Sequence, residues 1–339
     1  MAKWRLVYLD RVDPLWTQTV WHATALYTSE NIDSAMNTLL IEFTDGKLVS
    51  CGQSQNMYTE VDIDYCKEND ILFTRRMTGG GVVMLDEGQV FYHVILKGYH
   101  FPLKNKILYD KALKGPLQYL RSLGLDAHQD LNDIFIGDRK ISGNGAGSIE
   151  STGVVCGNII SDFDYSTCVE TIQMPSKHFK DLFSPLLNRY LTTLKRELNR
   201  KELRSEEIAK DLIKAFEKGL KIKFEKDELT DWEINKLNEL NDQYLTEEWI
   251  FMPEYFKDRK KEREFIKVAR GLGIIHFTEG FEADVIIRDK QISQIDIFDK
   301  EYAFLKNLTG KDIFEIKPFQ DNIIEKFRKK LVKYYYHAQ

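Results

Sequence analysis

The chain has 339 residues, 43% of them hydrophobic and 30% charged, with a net charge of −5. That length exceeds a typical single core and implies two domains, while the acidic balance leaves no basic surface for general nucleic-acid binding. Cysteines at 51, 66, 156 and 168 without C-x-x-C spacing, and scattered histidines, exclude a zinc framework, and the lack of a signal-peptide core or an 18-residue apolar run points to reduced thiols in a cytoplasmic, non-membrane protein.

Residues 5–9 read as a strand, and Asp13-Pro14 then supplies an N-cap and a proline at the first helical position, opening a helix to about 27. Residues 38–53 read as a tight hairpin turning at Asp45-Gly46. From 71 to 96 the pattern is strand, glycine loop, strand, a turn at Asp86-Glu87-Gly88, and the β-rich run Phe91-Tyr92-His93-Val94-Ile95-Leu96. Apolar positions 107, 108, 112, 113, 117, 120 and 123 form one helical stripe, ended by Gly124 and open to a kink at Gly115-Pro116. Residues 133–143 form a hairpin turning at Gly137-Asp138, Gly143 to Gly147 a second glycine-rich turn, and 153–160 a strand.

Residues 178–245 become helical and highly charged, with 206–220 amphipathic. The texture changes again at Leu245-Thr246-Glu247-Glu248-Trp249. Two β-rich runs within 265–298, joined by Arg288-Asp289-Lys290-Gln291, and a closing helix from about 320 to 334 follow. The basic cluster Lys257-Asp258-Arg259-Lys260-Lys261 reads as a solvated loop. These elements give an α/β protein of α+β type, with mixed, largely antiparallel sheets flanked by helices. Residues 1–245 form a large domain and 246–339 a small α/β one.

The densest chemical signal is Arg75-Arg76-Met77-Thr78-Gly79-Gly80-Gly81, two cations followed by three glycines between apolar strands. Each such glycine costs about 0.5–1 kcal/mol in a regular element, a cost tolerable where φ is positive or another backbone approaches closely. The adjacent arginines make an anion the natural visitor. A Walker A loop requires lysine after its last glycine, and a Rossmann fingerprint requires a following helix; neither pattern is present. The second glycine-rich run follows Lys140 by a few residues and reads either as a hairpin tip or as a ligand loop.

Together the two segments resemble the lipoate–protein ligase A family, within the superfamily that includes biotin–protein ligases and octanoyl transferases. The family's Arg-Arg-x-Ser/Thr-Gly-Gly-Gly-x-Val matches Arg75 to Val83, and its Asn-Asp-Ile/Leu…Arg-Lys-Ile/Val-Ser-Gly matches Asn132 to Gly143. The resemblance implies a ligase-like catalytic domain with a C-terminal accessory domain beginning near Thr246. It implies ATP and magnesium, activation of lipoate or octanoate to acyl-AMP, and transfer to a lysine of an acceptor lipoyl domain. That acceptor is an H protein, a 2-oxoacid dehydrogenase acyltransferase or a lipoate-binding protein of sulfur metabolism. The enzyme is expected as a monomer, its accessory domain aiding adenylation and hinging near 245.

By that resemblance Lys140 is the catalytic cation. Two anions at about 3.5 Å repel by about 5 kcal/mol at an effective dielectric near 20, so a cation must stand between them. Arg76 is expected to grip ligand oxygens, with Gly79, Gly80, Gly81, Val82, Val83, Met84, Asn132, Ser142 and Gly143 lining the acyl-adenylate. Arg75 is either a second ligand contact or scaffold. Asp133 is either a magnesium ligand or an Asx turn entering the hairpin. Val83 and Tyr92 are expected along the acyl tunnel, and His93 as a core residue.

The chain departs from the family pattern in places. Leu85-Asp86 stands where many members have His-Asp, Gln53 where they have arginine, and Asn144-Gly145-Ala146-Gly147 replaces the usual continuation after Ser-Gly. These changes mark a divergent subgroup. The rival readings are an ATP-independent acyl transferase using a cysteine, with Cys168 the thiol to test and Cys156 a core thiol, and a non-catalytic module that binds lipoyl-AMP or lipoyl domains. Biotin–protein ligase is disfavoured because its Gly-Arg-Gly-rich loop is missing.

Overall fold

A computed structural model of the protein describes residues 4–99, 105–252 and 263–339. The basic cluster at 257–261 lies outside the described residues. The chain resolves into two compact units, one of residues up to 171 with 191–259 and one of residues 172–190 with 260–339. Compared with a boundary at 245, the helix Glu247–Phe251 packs with the first unit, and the helix Lys177–Tyr190 with the later strands.

The first unit is built on a six-stranded sheet of β1 (Trp4–Val12), β2 (Asn37–Thr44), β6 (Gln89–Lys97), β10 (Asn144–Ile149), β11 (Thr152–Ile160) and β12 (Phe224–Asp227), in the order β10-β11-β6-β2-β1-β12. β1 runs parallel to β2 and β12, and the other pairings are antiparallel. Alternation divides its side chains between two cores. Leu39, Ile41, Tyr92, Val94 and Val155 pack with Phe216 and Leu212 of the helix Ser205–Leu220. Leu40, Ile95 and Val154 pack with Val20 and Trp21 of the helix Trp16–Glu30 and with Leu237 and Tyr244 of the helix Asp231–Tyr244.

Two smaller sheets carry the motifs. β3 (Leu48–Cys51) lies between β4 (Leu72–Arg75), to which it is parallel, and β5 (Val83–Leu85), to which it is antiparallel. β7 (Ala127–Asp130), β8 (Asp133–Ile136) and β9 (Arg139–Ser142) form an antiparallel meander.

Several expectations need correction. The strands on either side of Asp45-Gly46 do not pair, because β2 joins the large sheet and β3 the small one. The stripe at 107–123 is two helices, Asn105–Ala112 and Lys114–Ser122, parted at Leu113 rather than at Gly115-Pro116. Pro116 sits in the first turn of the second helix, where a missing N–H costs nothing. The glycine-rich run after Gly143 is no turn: Asn144–Ile149 is the edge strand β10, fully paired with β11. The charged 178–245 region also hides β12, an edge strand held by β1.

The second unit is the antiparallel meander β13 (Phe265–Ala269), β14 (Leu272–Phe277), β15 (Ala283–Arg288) and β16 (Gln291–Ile297), covered by the helix Asn322–Ala338 through Phe327, Leu331 and Tyr334. Asp289 and Lys290, both at positive φ, make the β15–β16 turn. Buried Asp284 is hydrogen-bonded to His276 and to His178, each at 2.7 Å. Among the described residues no helix is long and apolar enough to cross a membrane.

Candidate active site

Lys140 leaves β9 beside a bulge. Phe135 pairs with Lys140 and Ile134 with Ser142, so Ile141 is the extra residue and the chain can bury Ile141 while Lys140 stays accessible. The Lys140 Nζ lies 2.6 Å from Asp133 Oδ2, with the two side chains 35% and 20% exposed. Asp133 Oδ1 accepts the Asn144 amide at 2.9 Å, and Asn132 Nδ2 donates to the Asn144 carbonyl at 2.8 Å. Asn132 and Asp133 thus clamp the start of β10 and aim the lysine. From behind, Thr192 N donates to the Lys140 carbonyl, while Arg139 pairs through Nε and Nη2 with the two carboxylate oxygens of Glu197, each at 2.8 Å.

The row Asn144, Gly157, Tyr92 crosses three strands. A Cβ on Gly157 would come within 2.0 Å of Asn144 Oδ1 and 2.6 Å of the Tyr92 hydroxyl, so glycine is what lets Tyr92 donate to Asn144 across the middle strand. Burial pushes the Tyr92 hydroxyl well above its ordinary range. It is a fixed donor, and Tyr92 lies in the core rather than along an open tunnel.

The glycine loop approaches the same strand. Thr78 lies over Gly145 and Gly147, where added Cβ atoms would meet its side chain at 3.2 and 3.8 Å. Gly80 has φ +96, a left-handed conformation, and its carbonyl sits where a Cβ on Gly52 would be. Gly79 and Gly81 have open space at the Cβ position; Val83 is 39% exposed, Val82 half-buried and Met84 buried. The loop therefore presents backbone to whatever lies over it.

The two arginines have different tasks. Arg75 is 1% exposed; its Nη1 donates to the carbonyls of Gly52, Gln53 and Gln55, and its Nε and Nη2 to that of Ile250. It is scaffold. Arg76 donates to the carbonyls of Ser50, Gly79 and Gly81 from beneath the loop. Burial lowers its pKa to about 10, so it stays charged at neutral pH, and no carboxylate among the described residues pairs with it. A buried, uncompensated cation under exposed glycines attracts anions.

Three further residues had only weak sequence signals. Asn158 accepts the Gly143 amide at 2.8 Å and donates to Gln89, which in turn reaches the Met84 carbonyl and Asp86. That relay joins the end of the glycine loop to the Lys140 hairpin. Tyr109, from the helix Asn105–Ala112, is hydrogen-bonded to the Asn132 side chain and to the main chain of Ala146. A lone asparagine after glycine in an apolar strand was the only hint of Asn158.

Ser142 is buried, with its hydroxyl near Tyr92 and Asn144, and the Cβ position of Gly143 lies 3.2 Å from Lys140 Nζ. Leu85 is buried against Leu48 and Phe91 as core. His93 is paired with buried Glu42 at 2.9 Å. Both oxygens of Asp133 have protein donors, and no group of three His, Cys, Asp or Glu residues suited to a metal occurs among the described residues. Asp133 is held by Lys140 Nζ and the Asn144 amide in an orientation that aims the lysine.

The site couples a cation-backed glycine loop to a clamped lysine, an arrangement suited to holding an anion. The lipoyl protein ligase A/B catalytic domain matches residues 22–217, and the chain belongs to that family of lipoate ligases and lipoyl transferases. It is 28% identical over 213 residues to lipoate-protein ligase A subunit 1 of Thermoplasma acidophilum, covering 59% of this chain and 79% of that one. It is 24% identical over 278 residues to the octanoyltransferase LipM of Halalkalibacterium halodurans, covering 74% and 99%. The fold matches the bipartite lipoate protein ligase of T. acidophilum with a TM-score of 0.65 at 24% identity, over 74% of this chain and 97% of that one. It also matches P. falciparum LipL1 with a TM-score of 0.56 at 14% identity, over 98% and 99%.

Proposed function

We propose that the chain is an ATP-dependent lipoate–protein ligase. Lipoate's carboxylate attacks the α-phosphorus of ATP, pyrophosphate leaves, and the ε-amine of an acceptor lipoyl-domain lysine then attacks the acyl carbonyl and expels AMP. Lys140 stands between the two anions of the first step, and Asp133 orients it. Arg76, Gly79, Gly80, Gly81, Val82, Val83 and Met84 form the opposite wall. Magnesium enters with ATP as the counter-ion of its phosphates.

Relatives of both kinds exist, a ligase subunit and LipM octanoyltransferases. What favours ligation is the state of the thiols. Transfer without ATP needs a thiolate nucleophile. Burial pushes Cys66 and Cys168 up to about 12 and Cys156 well above its ordinary value, and Cys51 is buried. Cys168 has the acids Asp86 and Asp164 as neighbours, which oppose its ionisation further. The transferase reading predicts acyl transfer from an acyl-carrier thioester without ATP, abolished by Cys168→Ser. The ligase reading predicts transfer that requires ATP and free lipoate or octanoate and survives that substitution. Incubation with each candidate acceptor, followed by mass measurement of the acceptor, separates the two and identifies the partner.

A further inference from the structure

We propose that Arg75 is a positioning residue that couples the glycine loop to residues 244–252, a role that rests on the ligase reading only in its turnover assay. Its guanidinium is the meeting point of stretches far apart in the chain, since it donates to the Ile250 carbonyl, 175 residues away, and to three carbonyls of the 52–55 turn. That turn carries the glycine loop: Gln53 N donates to the Thr78 carbonyl, and Gly52 packs against the Gly80 carbonyl with no room for a Cβ. The next residue in the chain is Arg76, whose guanidinium organises the carbonyls of Gly79 and Gly81.

The contact is reinforced from the other side. The Trp249 indole donates to the Arg75 carbonyl at 2.7 Å and stacks on Tyr244 at 4.4 Å, and the Thr74 hydroxyl donates to the Tyr244 carbonyl. The end of β4 is thus tied to one short segment three times, through the side chains of Thr74 and Arg75 and through the Arg75 carbonyl. Met252, which ends the helix Glu247–Phe251, adopts φ 43. A guanidinium with this many carbonyl partners has no free donor geometry to spare, so displacing residues 249–250 must release the 52–55 turn, and distortion of the loop must be felt at Trp249. Such coupling is reciprocal.

The test uses the full chain labelled with 5-fluorotryptophan, the Trp249 signal being assigned by its loss in Trp249→Phe. Without any ligand, Gly80→Ala strains the positive-φ turn and is expected to shift the Trp249 signal in an otherwise wild-type background. The response should vanish when Arg75→Lys is added, with circular dichroism reporting an intact fold. In turnover assays, Trp249→Phe is expected to raise KM for ATP about 2- to 10-fold, the loss of one hydrogen bond, at unchanged KM for the acceptor. A merely structural role would lower the active fraction and leave KM alone. A Trp249 signal unmoved by Gly80→Ala, or a shift that persists with Arg75→Lys, overturns the proposal. Because the first arm needs no substrate, its failure is distinct from failure of the ligase reading.

Discussion

Lys140 and Asp133 form a single ion pair, Nζ to Oδ2 at 2.6 Å, and the second oxygen of the same carboxylate receives the Asn144 amide. One aspartate therefore fixes both the direction of the lysine and the start of the strand over which the glycine loop lies.

Asp133→Asn keeps an oxygen for the Asn144 amide and removes the charge that holds Lys140. The fold is expected to persist, with the melting temperature changed by a few degrees at most. Turnover is expected to fall about 10- to 100-fold, the scale on which a misplaced group costs rate. Pyrophosphate release with ATP and lipoate, measured beside a thermal melt, checks both statements.

Gly157→Ala places a methyl group within 2.0 Å of Asn144 Oδ1 and 2.5 Å of the Tyr92 ring. Both side chains must move, at a cost of about 1–3 kcal/mol for overpacking a filled interior. Denaturant unfolding measures that loss. Tyr92→Phe, which removes the hydroxyl and leaves the ring, is expected to cost less stability than Gly157→Ala.

His22 is buried, its pKa lowered to about 4 by desolvation and then by Lys236. A histidine held neutral in the fold binds a proton more readily once unfolded, so stability is lost as pH falls from about 6.5 towards 4, at up to about 1.4 kcal/mol per pH unit. Asp86 acts in the opposite sense. Desolvation raises its pKa to about 6, so its contribution is fully present below about 3.8 and is lost as pH rises through 6. The two partly cancel. His22→Gln removes the first and is expected to flatten or reverse the acid-side loss of stability, which denaturant titrations at about pH 4.5, about 5.5 and about 6.5 would reveal.

Cys156→Ser and Cys168→Ser test the thiols. With neither sulfur reacting, ATP-dependent transfer is expected within about threefold of wild type for each, since a group outside the reacting centre leaves the barrier unchanged. A loss of two orders of magnitude in Cys168→Ser would point to a thioester route.

The glycine loop and the Lys140 hairpin were legible because their residue types are unusual for their setting. That both Arg75 and Arg76 would be buried among backbone carbonyls was not, because adjacent residues at a strand end carry no information about the carbonyls that will surround them. Asn144 to Gly147 lacked β propensity and read as a turn, yet pairing with β11 overrode propensity, since glycines there leave room for Thr78. β2 and β3 looked like a hairpin because the turn signal at Asp45-Gly46 is local, whereas the sheet each strand joins is decided by distant partners. Phe224–Asp227 is short, charged and largely exposed, and only its pairing with β1 makes it a strand. Asn158, Gln89 and Tyr109 act through partners far away in sequence, which no local pattern announces.

The most direct test of the central claim is pyrophosphate release from ATP and lipoate by the wild-type chain and by Lys140→Ala, with no acceptor present. The account predicts release by the wild type that requires both substrates, and its loss in Lys140→Ala while the variant's circular dichroism spectrum and thermal transition stay those of a folded protein. Release that continues unchanged in Lys140→Ala, or acyl transfer to an acceptor with no pyrophosphate formed, would contradict it.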